Sequence, residues 1–146
     1  MKTFGLIGKN LSHSFSKKFF KKKILLEGIK ETEYLNFEID DISNLRNLIN
    51  KKNILGLNIT IPFKERVIPF LDEIKDDANN IGAVNTIKII KNKIIGYNTD
   101  FIGFRESIKP IIKNKKTALI LGNGGAAKAV RYALDKLQIK HKTITR

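Results

Sequence analysis

The chain has 146 residues, of which 42% are hydrophobic, and its 28 basic and 14 acidic residues give a formal charge of +14. Because Cys is absent and only two His are present, disulfide frameworks, thiolate metal sites, cysteine nucleophiles and histidine-rich zinc sites are excluded, and we expect no bound metal. No apolar run approaches the ~18 residues of a membrane span and no signal-peptide apolar region follows Met1, so we expect a soluble, cytoplasmic protein without a membrane partner.

The first hundred residues alternate between strand-like and helix-like segments, which is typical of an α/β protein. Apolar segments predict strands at 3–8, 34–39 and 55–61. Further predicted elements are a helix at 16–27, a helix to about residue 50 that Ser43 can cap, a helix at 72–80, and a hairpin of strands at 84–90 and 94–97.

A different pattern follows in the last third of the chain. Apolar residues from Phe101 to Ile112 predict an amphipathic helix, and the continuous apolar run at 117–121 predicts a strand buried on both faces. A helix stripe at 126–137 and a strand from 142 to 145 follow. We therefore predict two domains, residues 1–104 and residues 105–146, with the second cut off after one β-α-β unit.

The basic charge does not by itself predict a nucleic-acid partner. Of the 28 basic residues, 23 are Lys and 5 are Arg, and the Lys residues are scattered along a chain that is also rich in Ile and Asn. Base recognition favours Arg, and single-strand platforms interleave basic and aromatic residues. We expect no nucleic-acid partner, although this charge would help to attract an anionic cofactor or substrate.

A glycine turn between the strand at 117–121 and the following helix predicts a phosphate site. Gly122 permits the tight turn, Gly124 allows a pyrophosphate to approach the backbone, and Gly125 and Ala126 begin a helix whose free N–H groups favour an anion. A strand before this turn and a helix after it are typical of the first half of a dinucleotide site.

The identity of the dinucleotide depends on the end of the next strand. NAD-specific sites carry Asp or Glu there to hold the ribose 2′-hydroxyl, whereas this chain carries Thr145-Arg146. Arg suits a 2′-phosphate, so the sequence favours NADP. The alternative is that Arg146 is one more basic residue at a strand end.

Polar residues in the first hundred residues have both structural and functional interpretations. Ser14 and Ser16 follow the first strand, where their hydroxyls could meet a small polar ligand or could simply cap the next helix. Asn58 and Thr60 share one strand face and Lys64 follows the Pro62 turn, while the hairpin is flanked by Asn85-Thr86 and Asn98-Thr99-Asp100.

Together these segments resemble the shikimate dehydrogenase family, in the right order and over nearly the whole chain. The resemblance rests on Ser14-Phe15-Ser16, Asn58-Ile59-Thr60-Ile61-Pro62-Phe63-Lys64, Gly82-Ala83-Val84-Asn85-Thr86, Asn98-Thr99-Asp100 and Gly122-Asn123-Gly124-Gly125-Ala126. It implies a three-layer α/β substrate domain followed by a Rossmann-type NADP-binding domain. It also implies the reversible, NADPH-dependent reduction of 3-dehydroshikimate to shikimate in aromatic amino-acid and chorismate biosynthesis.

The resemblance also implies a role for each matching residue. Ser14 and Ser16 correspond to the hydroxyls that hold the substrate carboxylate, Lys64 corresponds to the catalytic acid/base, and the groups that bond the ring hydroxyls correspond to Thr60, Asn85 and Asp100. On the cofactor side the corresponding residues are Gly122, Asn123, Gly124, Gly125, Ala126, Thr145, Arg146 and, on a weaker match, Asp76. We expect the Lys64 ammonium and the Asp100 carboxylate to converge on one substrate alcohol beside the nicotinamide.

The sequence departs from the family's pattern in places, and alternatives remain open. Lys17, Asn123 and Thr145 depart from the family's common Pro, Ala and Asn, and the family's later substrate-contacting residues lie beyond Arg146. A quinate/shikimate dehydrogenase of broader specificity would share every motif, and a non-catalytic ligand-binding module is a third option. We expect the fragment alone to be inactive, and the oligomeric state is open, with a homodimer as one option.

Overall fold

A computed structural model, which describes residues 1–114 and 116–145, shows two sheets with helices packed on them. The strands are β1 (Lys2–Gly8), β2 (Thr32–Glu38), β3 (Ile54–Ile59), β4 (Glu73–Ile74), β5 (Thr86–Ile90), β6 (Lys93–Tyr97), β7 (Thr117–Leu121) and β8 (Lys140–Ile144). The helices are α1 (Ser16–Leu26), α2 (Leu45–Lys52), α3 (Phe63–Arg66), α4 (Asp76–Ile81), α5 (Asp100–Ile112) and α6 (Gly125–Lys136).

The larger sheet has six strands in the order β2-β1-β3-β5-β6-β4. Its first three strands are parallel, whereas β5 is antiparallel to both of its neighbours. On one face, Phe20 and Ile24 of α1 pack against Leu6 and Tyr34. On the other face, the buried side chains of α2 join a core with Ile7 and Ile59, and the predicted three-layer α/β architecture is thereby confirmed.

The hairpin between β5 and β6 has the predicted form. Lys91 and Asn92 both adopt positive φ angles, 46° and 67°, at the turn. Two successive left-handed residues match the right-handed twist of an antiparallel pair, which is why Asn is favoured there. The hairpin directs both of its open ends, Asn85 and Asn98, to one edge of the sheet.

The smaller sheet pairs β7 with β8 in parallel, and α6 connects the two strands. This is the β-α-β unit predicted from the glycine turn. Helix α5 links the two sheets along the chain, and Phe104 packs both on the α6 side chains and on the core that contains Ile120 and Leu134.

Three local predictions were wrong. The segment predicted as a helix at 72–80 begins instead with the short strand β4, because Asp72 pairs with Ile94: its N–H donates to the Ile94 carbonyl and its carboxylate accepts the Ile94 N–H at 2.7 Å. The helix that Ser43 was expected to cap is preceded by a 3₁₀ turn at Ile42–Asn44, and the Asp41 carboxylate caps that turn by accepting the Ser43 N–H.

The third error concerns β7, which is not buried on both faces. Ala118 and Ile120 face α5 and α6, whereas Leu119 and Leu121 are 59% and 78% exposed. Within residues 1–114 and 116–145, helices cover only one face of β7. Within these same ranges, no helix is long and apolar enough to cross a membrane.

Candidate functional site

The predicted acid/base residue, Lys64, lies on a short helix that is tied firmly to the larger sheet. Helix α3 begins directly after the cis Ile61-Pro62 bond. Phe63 is fully buried, and the Val84 N–H donates to the Lys64 carbonyl at 2.7 Å. The backbone of Lys64 is therefore held by the core below it and by the segment that leads into β5.

The Lys64 side chain forms an ion pair with Asp100, the first residue of α5. The ammonium Nζ lies 2.7 Å from the carboxylate Oδ2, and the two side chains are 16% and 33% exposed. The other carboxylate oxygen accepts a hydrogen bond from the Asn85 amide at 2.8 Å. The two charged groups therefore contact each other directly, and Asn85 is brought to the same point. Their convergence on a substrate alcohol stays a prediction.

Two asparagines hold the backbone on which Asp100 is carried. The buried Asn98 accepts hydrogen bonds from the N–H groups of Asp100 and Phe101 at 3.0 and 3.3 Å, and its amide donates to the Ala83 carbonyl. The Asn85 oxygen accepts the Thr99 N–H at 2.8 Å. Asn98 thus accepts two N–H groups at the start of α5 and links them to Ala83, two residues after the end of α4. This role was not predicted, because a capping Asn is expected directly before the first helical residue rather than two residues before it.

A chain of polar contacts runs from Asn85 across the sheet towards the serine segment. The Thr86 hydroxyl donates to the Asn85 oxygen, the Asn58 amide donates to Thr86 at 3.3 Å, and the Tyr34 hydroxyl donates to Asn58 at 2.8 Å. Burial raises the pKa of Tyr34 to about 12, and a hydrogen bond with the Ser16 hydroxyl partly offsets this rise. Tyr34 was not predicted as part of the site, because its position in the chain indicated only a strand residue.

Ser14, Ser16 and Thr60 lie at the same edge of the sheet as Asn85, near the carboxyl ends of β1 and β3. Both serines are half-buried, while Phe15 between them is exposed. The Ser14 hydroxyl accepts the Ser16 N–H at 3.3 Å, so this residue also makes the capping-type contact considered from the sequence. Thr60 is half-buried and its N–H donates to the Ile7 carbonyl.

The glycine turn lies against Lys64. A Cβ built on Gly125 would be 2.9 Å from the Lys64 Cβ, so no larger residue fits at this position without movement. Gly122 has a φ of 112°, a conformation that favours glycine, and its N–H donates to the Ile144 carbonyl. Thr145 is exposed and directly follows β8, whereas the predicted Arg146 lies outside the described residues.

The remaining predicted cofactor residues differ in how well they are placed. Asn123 is exposed in the turn, and its side-chain oxygen accepts a hydrogen bond from the Arg131 guanidinium at 2.8 Å. Ala126 is exposed in the first turn of α6. Asp76 is exposed at the start of α4, and the hydrogen bonds around Lys64 do not include it.

The glycine turn fits the phosphates of a dinucleotide. The helical hydrogen bonds of α6 begin at Lys128, whose N–H donates to the Gly124 carbonyl. The N–H groups that precede Lys128 in the helix therefore have no acceptor within the helix. A Cβ built on Gly124 would meet no atom within 4 Å, so no other part of the described structure covers the backbone on that side of Gly124. Free N–H groups at a helix start favour an anion.

Comparisons with known proteins show which family the chain is similar to. The model of the shikimate dehydrogenase substrate binding domain matches residues 6–87. A Staphylococcus haemolyticus (strain JCSC1435) protein named shikimate dehydrogenase (NADP(+)) is 42% identical over 151 aligned residues, which cover 98% of this chain and 56% of that protein.

Two solved structures have the same fold. The crystal structure of shikimate dehydrogenase 1 from Peptoclostridium difficile matches with a TM-score of 0.90 and 42% identity, over 99% of this chain and 54% of that chain. That of shikimate 5-dehydrogenase from Thermus thermophilus, in complex with NADP(H) and shikimate, matches with a TM-score of 0.88 and 30% identity, over 100% of this chain and 56% of that chain.

The extent of these matches determines what they establish. The chain spans about half the length of the curated relatives it matches, and the substrate-domain model covers more than half of the chain itself. The chain belongs to the shikimate dehydrogenase family.

Proposed function

We propose that this chain carries the substrate half and the first part of the cofactor half of an NADP-dependent shikimate dehydrogenase. The observation that carries the proposal is the Lys64–Asp100 ion pair, at 2.7 Å, beside the glycine turn at Gly125. A proton donor next to a phosphate-binding turn suits an enzyme that reduces a ketone with a dinucleotide. The reaction is the reversible reduction of 3-dehydroshikimate to shikimate.

The polar residues at the sheet edge divide by chemistry. The Ser14 and Ser16 hydroxyls bind the substrate carboxylate as hydrogen-bond donors. Thr60, Asn85 and Asp100 bond the ring hydroxyls. This assignment is supported by the half-buried serines and by the hydrogen bonds that join Tyr34, through Asn58 and Thr86, to Asn85.

The proton transfer falls to Lys64. NADPH, when bound, supplies the hydride to the ring carbonyl carbon, and negative charge then develops on the carbonyl oxygen. The Lys64 ammonium donates its proton to this oxygen, which becomes the product hydroxyl, and the amine takes a proton back from the hydroxyl in the reverse direction. Asp100 orients the ammonium by its 2.7 Å contact and, in our proposal, also bonds the reacting hydroxyl.

On the cofactor side, the N–H groups of the turn from Gly122 to Ala126 hold the pyrophosphate, and Thr145 and Arg146 bind the adenosine 2′-phosphate. Asp76 contacts the cofactor from the α4 side. We further propose that the domain boundary lies near residue 104, that the protein works in the cytoplasm, and that its substrate is a small molecule. A homodimer is the assembly to be tested by light scattering.

The test is a spectrophotometric assay of the full-length protein that contains this chain. Shikimate should drive NADPH formation, and it should do so faster with NADP than with NAD. Equal or faster turnover of quinate would favour the broader quinate/shikimate specificity. Binding of shikimate without any turnover would favour the non-catalytic ligand-binding module. The absence of both binding and turnover would refute the proposal.

A further inference from the structure

Helix α6, which begins at the glycine turn, is joined to the substrate half at successive turns. Gly125 lies against Lys64, the Lys128 ammonium contacts the Glu65 carboxylate, and the Tyr132 hydroxyl donates to Asp77 at 2.6 Å. Phe101 supports the same face, since its ring packs edge-on against Tyr132. The helix is therefore held along its length, with its first turns closest to the proposed acid/base.

The Glu65–Lys128 contact is the charged connection nearest the glycine turn. Lys128 Nζ lies 2.6 Å from Glu65 Oε2, and both side chains are partly buried. Among residues 1–114 and 116–145, neither side chain forms a second ion pair. Glu65 directly follows Lys64 on α3, so the same helical turn carries the proposed proton donor and the partner of α6.

Gly125 independently shows how closely α3 and α6 approach each other. Its built Cβ would lie 2.9 Å from the Lys64 Cβ and 3.4 Å from both the Ala83 Cβ and the Lys64 Cδ. The approach depends on the absence of a side chain at Gly125. A small outward slide of α6 would thus enlarge the gap between the glycine turn and the Lys64 side chain.

We propose that Glu65 and Lys128 are positioning residues, whose ion pair fixes the distance between the glycine turn and Lys64. The inference rests on the proposed function and extends it, because neither residue is assigned to substrate or cofactor. Hydride transfer needs the reacting atoms at close range, and a misplacement of about 1 Å can cost about 10²-fold in rate. The pair acts through Lys64 and the cofactor turn rather than by touching the substrate.

The test uses the full-length protein with Glu65→Gln, Lys128→Met, the double variant and the conservative Lys128→Arg. We expect each single loss of charge to lower kcat about tenfold, with little change in the KM for shikimate. The primary isotope effect with 4-deuterated NADPH should rise, because a longer transfer distance makes the hydride step more limiting. Lys128→Arg should retain activity, and the double variant should be no worse than the more severe single variant.

The matched control is Glu106→Gln, which breaks the exposed contacts of Glu106 with Arg105 and Lys109 on α5. It should leave kcat and the isotope effect at wild-type values. Unchanged kcat and isotope effect in both Glu65→Gln and Lys128→Met would overturn the inference, even if the melting temperature fell, since that pattern describes a purely structural contact. Additive losses in the double variant would also overturn it.

Failure of the proposed function is distinguishable from failure of the pair. If the wild-type protein turns over neither shikimate nor quinate, the function is wrong, and amide hydrogen exchange of α6 still reports on the ion pair. Faster exchange at 126–133 in both charge-loss variants, with no change in β1 and β3, would uphold the contact that holds α6. Unchanged exchange in α6 would overturn it.

Discussion

The close contact at Gly125 allows a quantitative prediction for Gly125→Ala. The new Cβ would lie 2.9 Å from the Lys64 Cβ. Carbon atoms normally meet at no less than about 3.5 Å, so Lys64 or α6 must move by about 0.6 Å. Overpacking of this kind costs about 1–3 kcal/mol, and the better helix propensity of Ala offsets up to about 1 kcal/mol. We expect a net loss of between about 0 and 3 kcal/mol in the free energy of unfolding.

The same displacement should reduce catalysis as well as stability. A shift of Lys64 lengthens its 2.7 Å contact with Asp100, and we expect kcat to fall between about tenfold and 10²-fold. Urea unfolding and steady-state kinetics of the full-length protein measure the two effects.

The matched control is Gly103→Ala. The substitution makes the same chemical change within α5, where the added Cβ meets no atom within 4 Å, and it should raise stability by up to about 1 kcal/mol. The reasoning would be refuted if Gly125→Ala kept wild-type kcat and gained as much stability as Gly103→Ala.

Three further predictions concern the acid/base, the substrate carboxylate and the buried tyrosine. Lys64→Ala should lower kcat by orders of magnitude with a modest change in KM, and a near-normal kcat would remove Lys64 from the chemical step. Ser14→Ala should raise the KM for shikimate and leave kcat unchanged, whereas a fall in melting temperature alone would favour the capping role. Because burial raises the pKa of Tyr34 from 10.0 to about 12, its contribution to stability is complete below pH 10. Up to about 3 kcal/mol of the free energy of unfolding should then be lost through Tyr34 as the pH rises from about 10 to about 12. Urea unfolding across this pH range measures the loss, and Tyr34→Phe should abolish it.

The parts of the fold that follow a local pattern were predictable from the sequence. The strands β1 and β3, the hairpin, the amphipathic helix α5 and the β-α-β unit were all expected, because their apolar spacing and turn residues agree with their tertiary surroundings. The segment from Asp72 to Ile74 was mispredicted because its backbone pairs with β6 at the edge of the sheet. Such pairing depends on a strand about twenty residues away, which no local pattern reveals.

The candidate site shows the same division. The resemblance to the family, carried by residue types in their order along the chain, indicated Lys64, Asn85 and Asp100, whereas each residue alone would not have stood out. The packing of the chain decided which side-chain atoms contact each other. For example, the hydrogen bond between Tyr34 and Asn58 joins two residues that are 24 positions apart in the sequence.

The sequence determined most of the helices and strands, the glycine turn of a dinucleotide site and the membership of the family, because these depend on residue identity and short-range spacing. The tertiary structure alone decided that Gly125 abuts Lys64 and that Glu65 meets Lys128, 63 residues away along the chain. Such contacts arise when α6 packs its buried alanines against Ile81 and Phe101. This packing is stabilised by the burial of apolar surface between segments that are distant along the chain, and these segments meet only when the chain has folded.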